Sequence, residues 1–204
     1  MIHIIDYGVG NIQAFVNMFK RLGIDACRTQ NARELTGVSK IILPGVGDFD
    51  HAMSLLNSSG MRDTLDHLVL AQQIPVLGVC VGMQMLADMS EEGVEAGLGW
   101  IKGRVVSFGN NAVTTGLPLP HMGWNDVMPR NTKTIFRDFG QDSRFYFLHS
   151  YYFECRNESD CLASSTYGNE FSCAVERGNV MGVQFHPEKS HHWGMNLLKN
   201  FAEL

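Results

Sequence analysis

The sequence predicts an α/β protein, with a mostly parallel central sheet flanked by helices and an antiparallel β extension. Two observations lead there. Up to residue 89, short apolar runs alternate with stretches of helical apolar spacing, the pattern of right-handed strand–helix–strand units. Beyond it, short β-like runs follow one another between turn signals, and helical spacing returns only at 193–203. With 204 residues, 45% of them hydrophobic, the chain is expected to fold as one domain over 1–204.

The elements read in order as follows. Residues 2–6 form a short apolar strand that ends at Tyr7-Gly8-Val9-Gly10-Asn11. Ile12, Phe15, Val16, Phe19 and Leu22 then lie on one helical face, and Gly23 caps that helix. Gly8 and Gly10 suggest a dinucleotide fingerprint, but its third glycine is missing because Gln13 stands there, so no nucleotide cofactor is expected. Residues 24–28 and 40–43 are further strands. Pro44-Gly45-Val46-Gly47 follows the second of them, and its glycines would let a peptide turn its N–H toward a ligand. Residues 48–56 and 61–71 read as helices, 76–79 as a buried strand and 83–89 as a helix. The extension comprises β-like runs at 100–108, 125–128, 145–153, 162–167, 171–176 and 180–185. A loop at 109–120 separates the first two, and its Pro118-Leu119-Pro120 excludes a central strand. Ser190 is placed to cap the last helix.

Composition removes several function classes. The net charge of −5 comes without a basic block, against nucleic acid or anionic membrane as the main partner. Five cysteines without a Cys-x-x-Cys pair form neither a disulfide framework nor a zinc ribbon, and no metal site is expected. No signal or transit peptide and no apolar run of about 20 residues is visible, so a cytoplasmic setting is expected.

Chemistry concentrates at Gly78-Val79-Cys80-Val81-Gly82, the cysteine form of a nucleophile elbow. A tight strand-to-helix turn forces the nucleophile into an unfavourable backbone conformation, and glycines two residues either side remove the clash. The following helix would aim N–H groups and its positive dipole end at the sulfur. A cysteine nucleophile needs a base, and the base needs an orienting group. Of eight histidines, His186 stands out, because Pro187 keeps it extended and Glu188, at i+2, shares its face. His121 and His149 border strand-like runs and are further candidates to line a cleft.

Gly78-Val79-Cys80-Val81-Gly82-Met83-Gln84 and Gly182-Val183-Gln184-Phe185-His186-Pro187-Glu188-Lys189-Ser190 resemble the motifs of class I (triad) glutamine amidotransferases. Pro44-Gly45-Val46-Gly47, Pro120-His121-Met122-Gly123-Trp124-Asn125 and His149-Ser150-Tyr151-Tyr152 are similar to those of the glutaminase subunits of imidazole glycerol phosphate synthase, in histidine biosynthesis. The likeness runs from Asp6 to Phe201.

The resemblance implies glutamine hydrolysis by a triad of Cys80, His186 and Glu188, through a thioester. It implies an oxyanion site made by the N–H of Val81 and the Val46–Gly47 peptide. It implies substrate contacts from Gln84, His149, Ser150 and Tyr151. The ammonia would pass to a barrel-shaped synthase/cyclase subunit in a heterodimer, with Asn11, Trp124, Tyr146 and Lys189 on the docking face. Their residue types also suit plainer roles: Trp124 and Tyr146 as core aromatics, Asn11 as a helix cap, Lys189 as a solvated charge. Val81 stands where such proteins more often have leucine. His191-His192-Trp193 and the loop at 110–116 match no motif of the group. Two alternatives stay open: a paralogous glutaminase serving a sugar amidotransferase of surface-polysaccharide synthesis, and a non-catalytic regulatory binding module.

Overall fold

The computed structural model describes residues 1–110 and 116–204, so part of the expected loop, 111–115, lies outside the described residues. Strand β1 (Ile2–Ile5) is buried along its whole length. Helix α1 (Ile12–Arg21) buries Phe15, Met18 and Phe19, one stripe at i, i+3 and i+4. It ends where Gly23 adopts φ +69° and its N–H reaches the Lys20 carbonyl. β2 (Ala26–Thr29), β3 (Lys40–Gly45) and α2 (Phe49–Ser58) follow, and the Asp48 side chain caps α2 by accepting from the His51 N–H. α3 (Arg62–Asp66) runs into a π-helical turn, His67–Ala71, before β4 (Val76–Cys80) and the single turn α4 (Val81–Gln84).

The second half supplies β5 (Met89–Ser90), β6 (Gly103–Ser107), β7 (His121–Asp126), β8 (Met128–Pro129), β9 (Arg144–His149) and β10 (Tyr151–Cys155). β11 (Cys161–Tyr167), β12 (Asn169–Arg177), β13 (Val180–Val183) and α5 (His191–Ala202) complete the chain. Five strands run parallel in the order β2-β1-β3-β4-β13. The sheet then turns antiparallel through β12, β10 and β6, with β11 on the other edge of β12 and β8 on β11. β7 and β9 form a separate antiparallel ribbon. The expected α/β architecture with an antiparallel extension is therefore present. No helix among the described residues is long and apolar enough to cross a membrane.

Four local expectations are corrected. The helix expected over 83–89 stops at Gln84. Backbone N–H groups of Leu98, Ile101 and Gly99 bond the carbonyls of Met85, Leu86 and Ala87, which a longer helix would need for itself. The single run at 145–153 is two strands in two sheets, parted at Ser150. The run at 125–128 is likewise divided, and β7 begins earlier, directly after Pro120. Ser190 occupies the N-cap position of α5 without capping it. Its hydroxyl instead donates to the His186 carbonyl (2.6 Å) and accepts from the Tyr146 N–H (3.0 Å).

An aromatic cluster ties the ribbon to the sheet. Phe145 of β9 stacks on Phe185 at 3.9 Å between ring centroids, and Phe136 and Phe139 pack around them. Full burial of one such phenylalanine contributes about 2–3 kcal/mol of transfer free energy. Phe185 immediately precedes His186, so this packing sets the position of the imidazole.

Candidate active site

The parallel register sets Val183 opposite Val79, so the residues just beyond, Gln184 and Cys80, emerge side by side at the strand ends. On the other flank Gly45 pairs with Cys80, which brings Val46 and Gly47 alongside. Ligands of parallel sheets bind at this end. A cleft of about 500 Å³ opens there, lined by Val46, Gly47, Cys80, Val81, Gln84 and His186 together with Glu92, Ser150, Tyr151 and others.

Cys80 sits at φ +57°, ψ −115°, a conformation that costs a non-glycine residue about 1–3 kcal/mol and persists only where surroundings enforce it. The glycines explain why the turn closes. A Cβ on Gly78 would lie 2.5 Å from the Gly82 carbonyl oxygen, the expected clash across the elbow. A Cβ on Gly82 would lie 1.9 Å from the Leu43 carbonyl oxygen, so this glycine makes room for the neighbouring strand instead. Because α4 is one turn long, its dipole is small and the sulfur depends more on local donors.

His186 Nδ1 lies 2.8 Å from Glu188 Oε1, with both side chains buried. Pro187 holds His186 extended, as expected, but Glu188 reaches back through a 3₁₀ turn, Pro187–Lys189, and not by strand alternation. The His186 backbone is clamped by its N–H on the Tyr146 carbonyl (2.9 Å) and by Ser190. Burial pushes the imidazole down, but hydrogen bonding and attraction from Cys80 and Glu188 outweigh it and raise it to about 10. With Nδ1–H donated to Glu188, Nε2 is the nitrogen left to serve the sulfur. Among the described residues, Glu188 Oε2 is buried without a hydrogen-bond partner.

His149 lines the cleft wall, but its ring nitrogens are both engaged. Nδ1 donates to the Tyr151 carbonyl (2.8 Å) and Nε2 meets His121 Nδ1 (2.9 Å). Burial holds His149 down at about 3 and His121 at about 4, so the pair is neutral. These two hydrogen bonds brace the 149–151 segment, and the ring itself lines the cleft with Ser150 and Tyr151. Gln84 is also buried, and its Nε2 donates to the Tyr151 carbonyl and to Gln184 Oε1, both at 3.1 Å. Only its Oε1 is left to meet a substrate.

Glu92 and Gln184 join the site without having been singled out by the sequence. Glu92 accepts from the Phe49 N–H (3.1 Å), and burial raises its carboxyl, with Asp48 and Asp50 adding to the effect. In the sequence it is one of two adjacent glutamates in a turn, the usual look of a solvated pair. Its closeness to the elbow was the only signal.

Beside the cleft, Trp124 of β7 pairs across the ribbon with Tyr146 of β9, their rings edge to face at 6.4 Å. Lys189 Nζ stands 5.7 Å from the Tyr146 ring centroid, and Trp124 is 40% exposed, so neither aromatic is a plain core residue. Asn11 occupies the N-cap position of α1 without a side-chain cap, and Met18 and Arg21 of that helix share a second cavity with Lys189. His191, at φ +49°, stacks flat on Trp124.

Residues 3–204 match the family described as glutamine amidotransferase class-I. The chain belongs to this family. As a class-I glutamine amidotransferase it is a glutaminase enzyme. It is 60% identical to the imidazole glycerol phosphate synthase subunit HisH of Bdellovibrio bacteriovorus, over the full length of both chains. It is 50% identical to the HisH subunit of Leptospira borgpetersenii and 48% identical to a HisH of Pseudomonas aeruginosa, again over both full lengths. Among solved structures, a glutamine amidotransferase superposes with a TM-score of 0.75 at 21% identity, covering 99% of this chain and 97% of that one. PurLQS from Thermotoga maritima gives 0.72 at 17% identity, covering 99% and 97%. These two likenesses concern the amidotransferase fold.

Proposed function

We propose that this amidotransferase is the glutaminase subunit of imidazole glycerol phosphate synthase, a cytoplasmic enzyme of histidine biosynthesis with a single catalytic domain over 1–204. The observation that carries the chemistry is one buried cluster: a strained Cys80, an imidazole raised by it, and a carboxylate 2.8 Å behind the imidazole. The pathway rests on full-length identity of 48–60% to HisH subunits.

In this reading the Cys80 thiolate attacks the carboxamide carbon of glutamine. The charge on the oxygen is held by the N–H of Val81 and by the Val46–Gly47 peptide, where each donor is worth about 10²–10³ in rate. His186, as imidazolium, gives its Nε2 proton to the departing nitrogen, and ammonia leaves. Water then attacks the thioester with His186 as base, glutamate is released and the thiolate returns. Glu188 fixes the tautomer throughout. Ser150, Tyr151 and Gln84 Oε1 hold the amino-acid end, and Glu92 suits the α-ammonium group.

The ammonia is passed to a barrel-shaped synthase/cyclase subunit docked over Asn11, Trp124, Tyr146 and Lys189. A closed route is needed because ammonia in neutral water is mostly protonated and no longer nucleophilic. The test is glutamine hydrolysis by the chain alone and with a histidine-pathway synthase subunit carrying its nucleotide substrate. Slow turnover alone, strong stimulation by the liganded partner and loss of both in Cys80→Ala are expected. Absence of both binding and stimulation would overturn the pathway, and an active Cys80→Ala would overturn the nucleophile.

A further inference from the structure

We propose that Gln184 is a fixed N–H donor to the Cys80 sulfur, held in that orientation by Gln84 and the Tyr151 carbonyl. The proposal rests on the reading of Cys80 as the nucleophile. Gln184 is fully buried, and its Nε2 lies 3.8 Å from Cys80 Sγ. An amide N–H without access to water must find its acceptor inside the protein, and the one it meets here is the sulfur.

The direction of this hydrogen bond follows from the neighbours. The Tyr151 carbonyl can only accept, so the end of the Gln84 amide that faces it, at 3.1 Å, is the nitrogen. That same nitrogen faces Gln184 at 3.1 Å, so the Gln184 atom there must be the oxygen. The remaining end of the Gln184 amide, the NH₂ group, is then the one toward the sulfur. A backbone carbonyl on β10 thus fixes two side-chain amides in series and delivers a donor to the reacting atom.

The sulfur has an acceptor as well. The Leu148 carbonyl lies 3.9 Å from Sγ and can bond only the S–H form. The thiol has Leu148 and the thiolate has Gln184 and the imidazolium, so loss of the proton exchanges partners without moving the sulfur. Hydrogen bonds to an ionised group are roughly twice as strong as those between neutral groups, so the Gln184 contact favours the thiolate. Titratable groups that interact with this atom include His186, held by Glu188, and Tyr7, whose hydroxyl donates to the Pro44 carbonyl (2.7 Å), and His149, Glu92 and Lys189 line the same cleft. All of these side chains are retained when Gln184 is substituted.

The test is the pH–rate profile of Cys80 alkylation by iodoacetamide, followed by mass spectrometry on the full chain. Gln184→Met keeps length and burial and removes the donor. Its profile is expected to move to higher pH by about one unit, about tenfold slower below the midpoint. The turnover number falls in step, while KM for glutamine stays within about twofold. Gln84→Met frees the Gln184 amide to rotate and gives a smaller shift in the same direction. In the unaltered protein, the Gln184 NH₂ resonances in ¹⁵N NMR are expected to move with the alkylation midpoint, a readout that needs no variant to fold. An unchanged profile in folded Gln184→Met, or resonances that stay still across the midpoint, would overturn the proposal. If alkylated Cys80 still turns over glutamine, the nucleophile assignment falls, while the profile and the resonances still decide whether Gln184 donates to the sulfur.

Discussion

Gly82→Ala is the sharpest perturbation of the elbow. The added methyl would sit 1.9 Å from the Leu43 carbonyl oxygen and 3.2 Å from the Pro44 carbonyl carbon. To reach even the closest separation that Cβ atoms show, about 3 Å, the two backbones must part by more than about 1 Å. Neither can yield cheaply. Leu43 belongs to a strand bonded on both edges, and Gly82 belongs to the turn that carries Cys80. Overpacking of this kind costs about 3 kcal/mol or more. In a chain of this size that lowers the melting temperature by about 6–12 °C. A shift of about 1 Å at the nucleophile costs about 10² in turnover. Gly47→Ala is the comparison, since its methyl meets nothing within 4 Å among the described residues and the strain lies in the φ of +86°, a cost of about 1–2 kcal/mol. Thermal unfolding of both variants, with partner-stimulated glutaminase assays, tests the reasoning. A Gly82→Ala protein that melts within about 2 °C of the wild type and retains its turnover (the ~10² loss having failed to appear) would refute it.

Glu188→Gln keeps the shape of the orienting group but not its charge, and stimulated turnover is expected to fall about 10²–10⁴ with little change in KM. The same variant reports on pH. The raised imidazole stabilises the fold fully below its ordinary value of 6.5, and this contribution is lost as pH rises through about 10. The stability gap between wild type and Glu188→Gln, measured by urea unfolding, should therefore be wider at about pH 6 than at about pH 10.5, and a gap that widens with pH contradicts the assignment. Asn200→Ala removes donors to the Ile135 and Arg137 carbonyls (3.1 and 2.7 Å), at a cost of about 2–4 kcal/mol in urea unfolding without a change in glutamine KM. Trp124→Ala should weaken partner binding by about 30-fold in calorimetric titration while leaving unstimulated hydrolysis intact.

Features written in short stretches of chain are legible in the amino-acid order alone. The parallel strands show as apolar runs, the first helix as a stripe with a glycine stop, and the elbow as two glycines around a cysteine. His186 and Glu188 are readable as a pair because they lie two residues apart. What escapes depends on contacts between distant segments. The helix after Cys80 ends early because residues 98–101 take its carbonyls. The run through Phe147 and Phe153 gives no hint that Ser150 passes the chain from one sheet to another. Ser190 has the look of a cap and is a clamp between His186 and β9. Gln184 carries no mark of its own in the sequence. Its meaning comes from Gln84, a hundred residues away, and from a carbonyl that no sequence pattern encodes.

The position of β13 has a consequence for how the enzyme is made. The nucleophile strand leaves the ribosome early, but the strand beside it, which leads to the base, is the last in chain order and the fifth of the parallel set. The other four parallel strands, β1 to β4, and the elbow all precede residue 85, whereas His186 follows β13. Cys80 and His186 therefore come together only once β13 lies between β4 and β12. A chain cut before that strand carries Cys80 but neither His186 nor Glu188.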